Sequence, residues 1–537
     1  MKKITIDILF LLIIVAHIIV QIILLGDFSI DDMALATQLE QTKDSASHQE
    51  NIQKMKRLIK EANKPLLMDM MYIDPIYPPL FYYTVMPIAL FSFDKEYYAI
   101  RCGILLFSVL IFFLLYGYFR RKNNPLAGIW AVLFTACSPF FLRYSTATTP
   151  HMFMCLCVLF LFVLSEKTDS FRNWGWSLFF GIMSGVCLFA KNEMLIYCCV
   201  LYLVSSVPVI AKPTRRQISN LVMSLCLFGN FFVFFFYLYI YSDIIHGALM
   251  ARLSGGVHSY IAHAGLFSFA SFSFYGWALF KRLAGPYITI VLCAAIIVHV
   301  IKPHLRKKCN IIFLCVISLI IFTAILAKFP EYISPLIPLI AIICARGISA
   351  IRFRVVQSVI VVVVCSLTLN TYADLVVQDS LCARDTTQFE YGKIWDMLED
   401  HITNDASKTI RIQVLGVFEG SDVHRYLELR KFQENYKNFD ASSTLIMDYP
   451  EDAINALTSV SFCIYVSYSE KNTWPTQEEF SSVRRKLSRE YRDFNPFHLE
   501  KMEESRNSFN EVARVPVTIH GIPLYAFLYE NREQNKM

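Results

Sequence analysis

Charged residues are scarce in this sequence, and so are the motifs of many soluble enzymes. Only 18% of its 537 residues are charged, whereas 55% are hydrophobic. No G-x-x-x-x-G-K-[ST], G-x-G-x-x-G or G-x-S-x-G sequence occurs, so nucleotide-binding loops and a serine-hydrolase elbow lack support. The formal net charge of +6 is small for this length, and the basic residues are spread over short linkers. We therefore expect no nucleic-acid partner.

N-x-[ST] glycosylation sequons and a cysteine framework are also missing. The absence of sequons suits a bacterial periplasm more than an ER lumen, so we expect a bacterial inner (plasma) membrane protein. Most of the 15 cysteines fall between Cys102 and Cys365, in or beside apolar runs, where cysteine behaves as a small hydrophobe. Only Cys382 and Cys463 lie beyond them, which leaves one disulfide in the tail open.

What the sequence does contain is a series of apolar runs, each long enough to cross a hydrocarbon core of about 30 Å as a helix. They predict an all-α polytopic membrane bundle of about eleven or twelve transmembrane helices, with the first run retained as a helix. The runs cover residues 4–25, 98–119, 125–142, 150–165, 174–190, 192–210, 219–241, 284–302, 309–327, 331–347 and 353–372.

The positions of lysine and arginine predict the orientation of this bundle. Basic residues are retained on the cytoplasmic side of short loops, and here they concentrate in alternate linkers. Those linkers contain Arg120, Arg121 and Lys122; Lys167 and Arg172; Lys212, Arg215 and Arg216; Lys302, Arg306, Lys307 and Lys308; and Arg346, Arg352 and Arg354. The outer side then has loops 26–97 and 242–283 and everything after residue 372.

The orientation depends on the short, proline-containing run Pro78–Phe93. If this run crossed the membrane, every later loop would invert and the charge bias would be violated throughout. We therefore interpret it as a re-entrant or interfacial segment on the outer side, although the sequence leaves a full crossing open.

Two domains follow from this division. Residues 1–372 form the transmembrane domain, and residues 373–537 are predicted to form a small soluble, extracytoplasmic α/β domain. Its expected strands are Ile412–Val417, Val460–Val466 and Leu524–Tyr529, and Ile394–His401 has a helical pattern.

Several basic side chains stand at the outer ends of the predicted helices, against the charge bias. Glu193 and Glu331 accompany two of them. Each alone is compatible with snorkelling to lipid headgroups, but together they favour an anionic ligand near the outer surface, for which a lipid phosphate is the natural choice. The basic residues are Arg101, Arg143, Lys191 and Lys328.

The first outer loop opens with the sequence SIDDMALA, which places Asp31 and Asp32 directly after the first helix. Adjacent carboxylates here could serve only as a solvated cap. The functional interpretation is a general base close to a lipid-borne substrate, or ligands of a divalent metal, because oxygen-only sites suit Mg²⁺ or Mn²⁺.

Four stretches of the chain resemble the GT-C glycosyltransferases, in the branch of the protein O-mannosyltransferases and the bacterial aminoarabinose transferase. They are SIDDMALA, DPIYPPLFYYTVMPIALFSFDKEYYAIRCG, GIMSGVCLFAKNEMLIY and KFPEYISPLIPLIA, and the resemblance spans about residues 1–372. Tyr82, Arg101, Lys191, Lys328 and Tyr332 match motif positions of the family.

The same stretches depart from the family pattern at several positions. Asp32 replaces a glutamate, Tyr77 stands where a histidine is usual, and Glu331 stands where arginine is common. Many relatives have a second acidic residue in the next outer loop, but TATTPHMF has none, with Thr149 or His151 nearest.

The resemblance implies a GT-C fold and an inverting transfer of a sugar from a polyprenyl-phosphate-linked donor. The acceptor would be a glycan, a lipid or a protein on the extracytoplasmic side of the lipid bilayer. Asp31 and Asp32 would be catalytic, and Arg101, Lys191 and Lys328 would bind the donor phosphate. The residues expected to line the substrate pocket are Tyr77, Tyr82, Arg143, His151 and Tyr332.

Two other classes of membrane protein remain open. A lipid-linked-sugar flippase or other transporter would also have many helices, although transporters favour matched halves and charges near the middle of the bilayer. An O-antigen polymerase or ligase would have a large outer loop without the early acidic pair.

Overall fold

A computed structural model describes most of the helical bundle and parts of the tail. The described residues are 3–25, 45–61, 78–91, 96–239, 269–302, 310–325, 329–382, 390–399, 401, 410–416, 423, 426–427, 430, 439–443, 461–467, 508–519 and 522–532. The chain divides into two compact units, one of Met1–Gly26 with Lys54–Ser380 and one of Asp27–Gln53 with Leu381–Met537.

The chain up to residue 382 is helical over nearly all of its described length. Its α-helices are α1 (Lys3–Leu24), α2 (Ser45–Glu61), α3 (Leu80–Phe91), α4 (Glu96–Arg121), α5 (Pro125–Ala136), α6 (Pro139–Tyr144), α7 (His151–Lys167), α8 (Trp174–Cys187), α9 (Met194–Ala211), α10 (Arg215–Tyr239), α11 (Phe269–Ala278), α12 (Pro286–Ile301), α13 (Asn310–Ala324), α14 (Ile337–Ser349) and α15 (Arg354–Cys382).

These helices confirm the predicted polytopic membrane bundle. Among the described residues, six helical segments are long and apolar enough to cross a membrane. They are Ile4–Leu24, Tyr97–Arg121, Met194–Ala211, Arg215–Phe235, Pro330–Ser349 and Arg354–Ala373. Pro330–Ser349 is the most enclosed segment, with 94% of its apolar stretch buried. By contrast, Ile4–Leu24 and Arg354–Ala373 are each 28% buried and expose apolar side chains at the periphery.

Several predicted apolar runs are divided between two helical elements, either at a proline or at a short 3₁₀ turn. The run 125–142 is split between α5 and α6, because Pro139 lacks a backbone N–H and Ser138 caps the new helix by accepting from the Phe141 amide at 3.4 Å. The run 174–190 ends in a 3₁₀ turn, Leu188–Ala190, and α14 is preceded by another, Pro330–Leu336. These irregular segments place polar groups at the helix ends.

Helices α1 and α4 run antiparallel, as contacts at both of their ends show. Near the start of α1, Asp7 Oδ2 pairs with Arg120 Nη2 at 3.0 Å. Beyond its end, the Leu25 carbonyl lies 3.5 Å from Arg101 Nη1. The segment between the two helices therefore leaves and returns at the same end of the bundle, which supports the interpretation that the short α3, about 18 Å long, does not carry the chain across.

A network that we call the inner-end network, after the predicted orientation, joins three helices at the opposite end. Glu166 Oε2 accepts a hydrogen bond from Tyr118 at 3.0 Å and pairs with Lys122, and Glu166 Oε1 lies 3.5 Å from Arg346 Nη2. Lys122 and Arg346 belong to linkers that the charge bias assigns to one side, and the structure brings them together. Which compartment this end faces stays a prediction.

Helices α8 and α10 approach each other through a small-residue face. Gly181 and Gly185 are one helical turn apart, a spacing that lets backbones come close in membrane helices. A Cβ atom on Gly181 would lie 2.6 Å from the Ser224 carbonyl oxygen, and one on Gly185 would lie 2.5 Å from the Phe231 side chain. Neither site has room for a methyl group.

The tail contains the predicted small α/β domain. Its elements are α16 (Tyr391–Glu399), β1 (Ile410–Gly416), β2 (Phe439–Ser443), β3 (Phe462–Ser467), β4 (Phe509–Ile519) and β5 (Ile522–Asn531). The strands form one sheet in the order β2-β1-β3-β5-β4, with β1 parallel to β2 and β3 and with β5 antiparallel to β3 and β4. Cys463 on the central β3 is a buried free thiol, so no disulfide forms there.

Glu390 attaches α16 to the edge strand β4. Its backbone amide donates to the Thr518 carbonyl at 2.8 Å, and its Oε2 accepts from the Thr518 amide at 2.9 Å. The hydrogen bond from Lys393 and the bond from Thr518 hold the pKa of Glu390 below its ordinary value. The helix then covers the sheet with a core that includes Trp395, Ile412 and Leu528.

Three features differ from the sequence expectation. Residues 269–283, assigned to an outer loop, form α11 and a following π-helical turn, Leu279–Leu283. Helix α15 continues to Cys382, ten residues beyond the predicted domain boundary at 372. Strands β2 and β4 are not among the predicted strands, because β2 is short and polar and β4 includes Pro516 and two charged residues, Glu511 and Arg514.

We expect Gly181→Ala to destabilise the protein, because the added methyl group would collide with the backbone of α10. Overpacking of this kind costs about 1–3 kcal/mol. Gly229→Ala on α10 is the matched control, since a Cβ atom there has no neighbour within 4 Å. Thermal unfolding in detergent measures both, and equal stability of the two variants would contradict the close packing of α8 and α10.

We expect opposite labelling of Arg172→Cys and Asp400→Cys by a membrane-impermeant thiol reagent in intact cells. In a background without reactive native cysteines, position 400 should react and position 172 should react only after permeabilisation. The reverse pattern would contradict the predicted orientation.

Candidate functional site

Four of the ten predicted site residues lie outside the described part of the chain. They are Asp31, Asp32, Tyr77 and Lys328. The catalytic role of the two aspartates therefore stays a prediction, as does any divalent metal bound to them. Within the described residues, no group of three or more histidine, cysteine, aspartate and glutamate side chains could hold a metal ion.

Arg101 is fixed at the end of the bundle opposite the inner-end network. Its Nε donates to the Thr146 carbonyl at 2.9 Å, and its Nη1 donates to Tyr97 Oη at 3.2 Å. The guanidinium carbon lies 5.3 Å from the centre of the Tyr97 ring. Together with the longer contact to Leu25, these bonds join α4 to the end of α1 and to the irregular segment after α6.

Lys191 lies in the break between the 3₁₀ turn that ends α8 and the start of α9. Only 4% of this residue is exposed. Its Nζ lies 3.5 Å from Glu193 Oε1 and 6.0 Å from the centre of the Tyr332 ring. The Lys191 carbonyl accepts from the Met194 amide at 3.0 Å, which forms the turn that holds the lysine and the glutamate together.

Tyr332 connects Lys191 with the rest of this end of the bundle. Its carbonyl accepts a hydrogen bond from Tyr197 Oη at 2.6 Å, so its 3₁₀ turn is tied to α9. The neighbouring Glu331 accepts from Tyr144 Oη at 3.1 Å. Tyr144 in turn packs edge-on against the buried His151, with ring centres 5.5 Å apart.

These contacts define a cluster drawn from four helices (α4, α6, α7 and α9) and the turns between them, which we call the outer-end cluster after the predicted orientation. The structure thus places four residues that the sequence singled out at one end of the bundle, namely Arg101, Lys191, His151 and Tyr332. The cluster comprises Arg101, Tyr144, Thr146, His151, Lys191, Glu193, Tyr197, Glu331 and Tyr332.

The other two described pocket residues contribute differently. Arg143 is exposed, with its guanidinium carbon 6.0 Å from the centre of the Tyr144 ring. It therefore lies at the exposed edge of the cluster. Tyr82 is 1% exposed and packs edge-on against Phe81, which itself contacts Phe153. Its role in the substrate pocket stays a prediction.

Sequence reasoning missed the polar residues that support the cluster. Tyr144 and Tyr197 read as ordinary aromatic residues of apolar helices, and no spacing indicated that they bond to the turn 330–336. In the sequence, Glu193 stands out only as a companion of Lys191. It is 7% exposed, and its Oε2 is buried without a hydrogen-bond partner among the described residues. Thr149 Oγ1 is in the same condition.

Comparison with known families and structures gives a consistent picture. A family model described as dolichyl-phosphate-mannose-protein mannosyltransferase matches residues 77–239. No match was found among curated proteins.

Two solved proteins resemble the whole bundle despite low sequence identity. ArnT from Cupriavidus metallidurans, in its apo state and bound to undecaprenyl phosphate, aligns with a TM-score of 0.56 at 12% identity over 96% of this chain and 97% of ArnT. The apo oligosaccharyltransferase of Archaeoglobus fulgidus aligns with a TM-score of 0.51 at 10% identity over 85% of this chain and 69% of that one. The chain is therefore a multi-pass membrane protein with the fold of the GT-C glycosyltransferases, as its sequence motifs predicted.

Proposed function

We propose that this protein is an inverting glycosyltransferase that uses a polyprenyl-phosphate-linked sugar as its donor. The acceptor is an extracytoplasmic hydroxyl group on a glycan, a lipid or a protein. We further propose that the protein lies in a bacterial inner membrane, with its C-terminal domain outside the cytoplasm.

The observation that carries this proposal is the outer-end cluster. Arg101 and Lys191 are far apart in the sequence, yet tyrosines and main-chain carbonyls hold both at the same end of the bundle. Charged groups within a membrane protein are costly and mark ligand sites. Arginine and lysine bind phosphate well, and a lipid phosphate reaches this depth from the bilayer.

The position of the acidic loop supports the same function. SIDDMALA follows α1, and the end of α1 is bonded to Arg101 through the Leu25 carbonyl. In the proposed reaction the acceptor hydroxyl attacks the anomeric carbon and Asp31 takes its proton. The bond between this carbon and the phosphate oxygen breaks, and the lipid phosphate leaves as an anion held by Arg101, Lys191 and Lys328. A single displacement inverts the anomeric centre.

The family comparison supports the substrate class. The matching family model describes an enzyme that uses dolichyl-phosphate mannose, and ArnT was solved with undecaprenyl phosphate. Both ligands are polyprenyl monophosphates. A flippase would bind the same lipids, and catalytic transfer by the purified protein separates the two functions.

We expect Lys191→Ala and Arg101→Ala to impair use of the donor. Each removes a charge-assisted contact of about 1.5–3 kcal/mol, which corresponds to a loss of about 10-fold to 150-fold in kcat/KM for the donor. Transfer from synthetic polyprenyl-phosphate sugars measures this loss in protein matched for folding by size-exclusion chromatography.

Arg172→Ala is the control for loss of a basic residue. Arg172 is at the inner end, its side chain is 67% exposed, and its pair with Asp169 is a surface contact of small energetic value. This variant should keep normal activity. Activity within twofold of wild type for both Lys191→Ala and Arg101→Ala would contradict their role in phosphate binding. Their side chains would then only reach toward lipid headgroups.

We expect Asp31→Asn to lower turnover by about 10²-fold to 10⁴-fold, because the amide cannot accept the proton of the acceptor. Asp32→Asn should have a smaller effect if Asp32 only orients its neighbour. The assay follows transfer with saturating donor, at matched expression. Full activity of Asp31→Asn would exclude this residue as the base, and full activity of both variants would remove the main support for the mechanism.

A further inference from the structure

Glu193 has one carboxylate oxygen that the fold itself does not use. Oε1 lies 3.5 Å from Lys191 Nζ, and the side chains of both residues are more than nine-tenths buried. Oε2 is also buried, but it has no hydrogen-bond partner among the described residues. A buried acceptor without a partner costs about 1–3 kcal/mol, and more when it is charged, so such groups are retained mainly where a ligand completes them.

The surroundings of Glu193 indicate what kind of group completes it. Lys191 already places one positive charge beside the carboxylate, so a second cation would be repelled by the lysine. The missing partner is therefore a neutral donor. Tyr332 lies beside Lys191, and the rings of Tyr332 and Tyr275 both pack against Phe322, with ring centres 5.8 Å and 6.4 Å away. Aromatic rings next to a hydrogen-bond acceptor suit a ligand with both apolar faces and hydroxyl groups, which describes a sugar ring.

We propose that Glu193 is a sugar-binding residue whose Oε2 accepts a hydrogen bond from a hydroxyl of the transferred sugar. This inference rests on the proposed function, in which Lys191 binds the donor phosphate. The two residues of the pair then bind different parts of the donor. The Lys191 ammonium binds the phosphate, and the Glu193 carboxylate binds the sugar attached to it. No role in proton transfer is assigned to Glu193.

The test compares binding of two kinds of lipid to the purified full-length protein. The first kind is undecaprenyl phosphate without a sugar. The second kind is undecaprenyl phosphate esterified with mannose, glucose or arabinose. The measured quantity is the preference ratio, which is the affinity for the best-bound ester divided by the affinity for undecaprenyl phosphate. The variants are Glu193→Met and Glu193→Gln, which remove the same charge beside Lys191 but differ in whether an acceptor oxygen remains.

We expect Glu193→Met to lower the preference ratio by about 10-fold to 150-fold, the effect of losing one hydrogen bond to a charged group. Glu193→Gln keeps an acceptor and should lower the ratio less than Glu193→Met does. Glu193→Asp keeps the charge but withdraws the oxygen by one methylene group, so it should also lower the ratio, and it serves if Glu193→Met does not fold.

The outcomes separate this inference from the proposed function. If undecaprenyl phosphate binds in a Lys191-dependent way but Glu193→Met and Glu193→Asp keep the wild-type ratio, the sugar-binding role is wrong and the proposed donor class stands. The role is also wrong if the wild type prefers no ester over undecaprenyl phosphate. If none of the lipids binds, both proposals fail.

Discussion

The buried ion pair between Lys191 and Glu193 is the constraint on which the rest of the outer-end cluster depends. A lysine that is 4% exposed at the end of a membrane bundle must have an anionic partner, since an isolated buried charge costs several kcal/mol. Glu193 supplies that partner from two residues away, but only because the chain leaves the helix at 188–190 and re-enters it at Met194. Tyr332 lies beside the pair through its own 3₁₀ turn, which Tyr197 fixes to α9. The break in the helix, the ion pair and the tyrosine thus form one arrangement.

The described charged groups of the bundle divide into two sets at its two ends. At the inner end, Glu166 pairs with Lys122 and Arg346 through its two oxygens, and Tyr118 completes the network, so every charged member has a partner within the protein. At the outer end, Glu193 retains a buried oxygen without a hydrogen-bond partner among the described residues. The first arrangement ties helices together. The second provides groups that a phosphorylated sugar can complete, and this difference is why we assign the function to the outer end.

The sequence predicted the bundle well because a helix that crosses the bilayer needs about 20 apolar residues, and such runs are visible in the sequence. Apolar runs and alternate basic linkers indicated nearly every long helix, and the antiparallel pairing of α1 and α4 agrees with a Pro78–Phe93 segment that does not cross. The sequence could not indicate where runs break, because a break such as Ser138–Pro139 depends on local caps. It identified Arg101, Lys191 and Tyr332 by motif, but not Tyr144, Tyr197 or the burial of Glu193, since these depend on contacts between residues as many as 187 positions apart. In the tail, the apolar β3 was evident, whereas β2 is short and polar, and β4 includes Pro516 and the charged Glu511 and Arg514, which strand propensities disfavour.

The central claim is that the outer-end cluster binds the phosphate of a polyprenyl lipid. A cryo-EM structure of the protein with undecaprenyl phosphate tests this most directly. The account predicts phosphate density within about 3 Å of Lys191 Nζ, on the side of the cluster that faces Arg101, with the hydrogen-bond distance expected of a charged pair. Phosphate density at the inner-end network around Lys122 and Arg346 instead would contradict the proposed site and the orientation of the enzyme in the membrane.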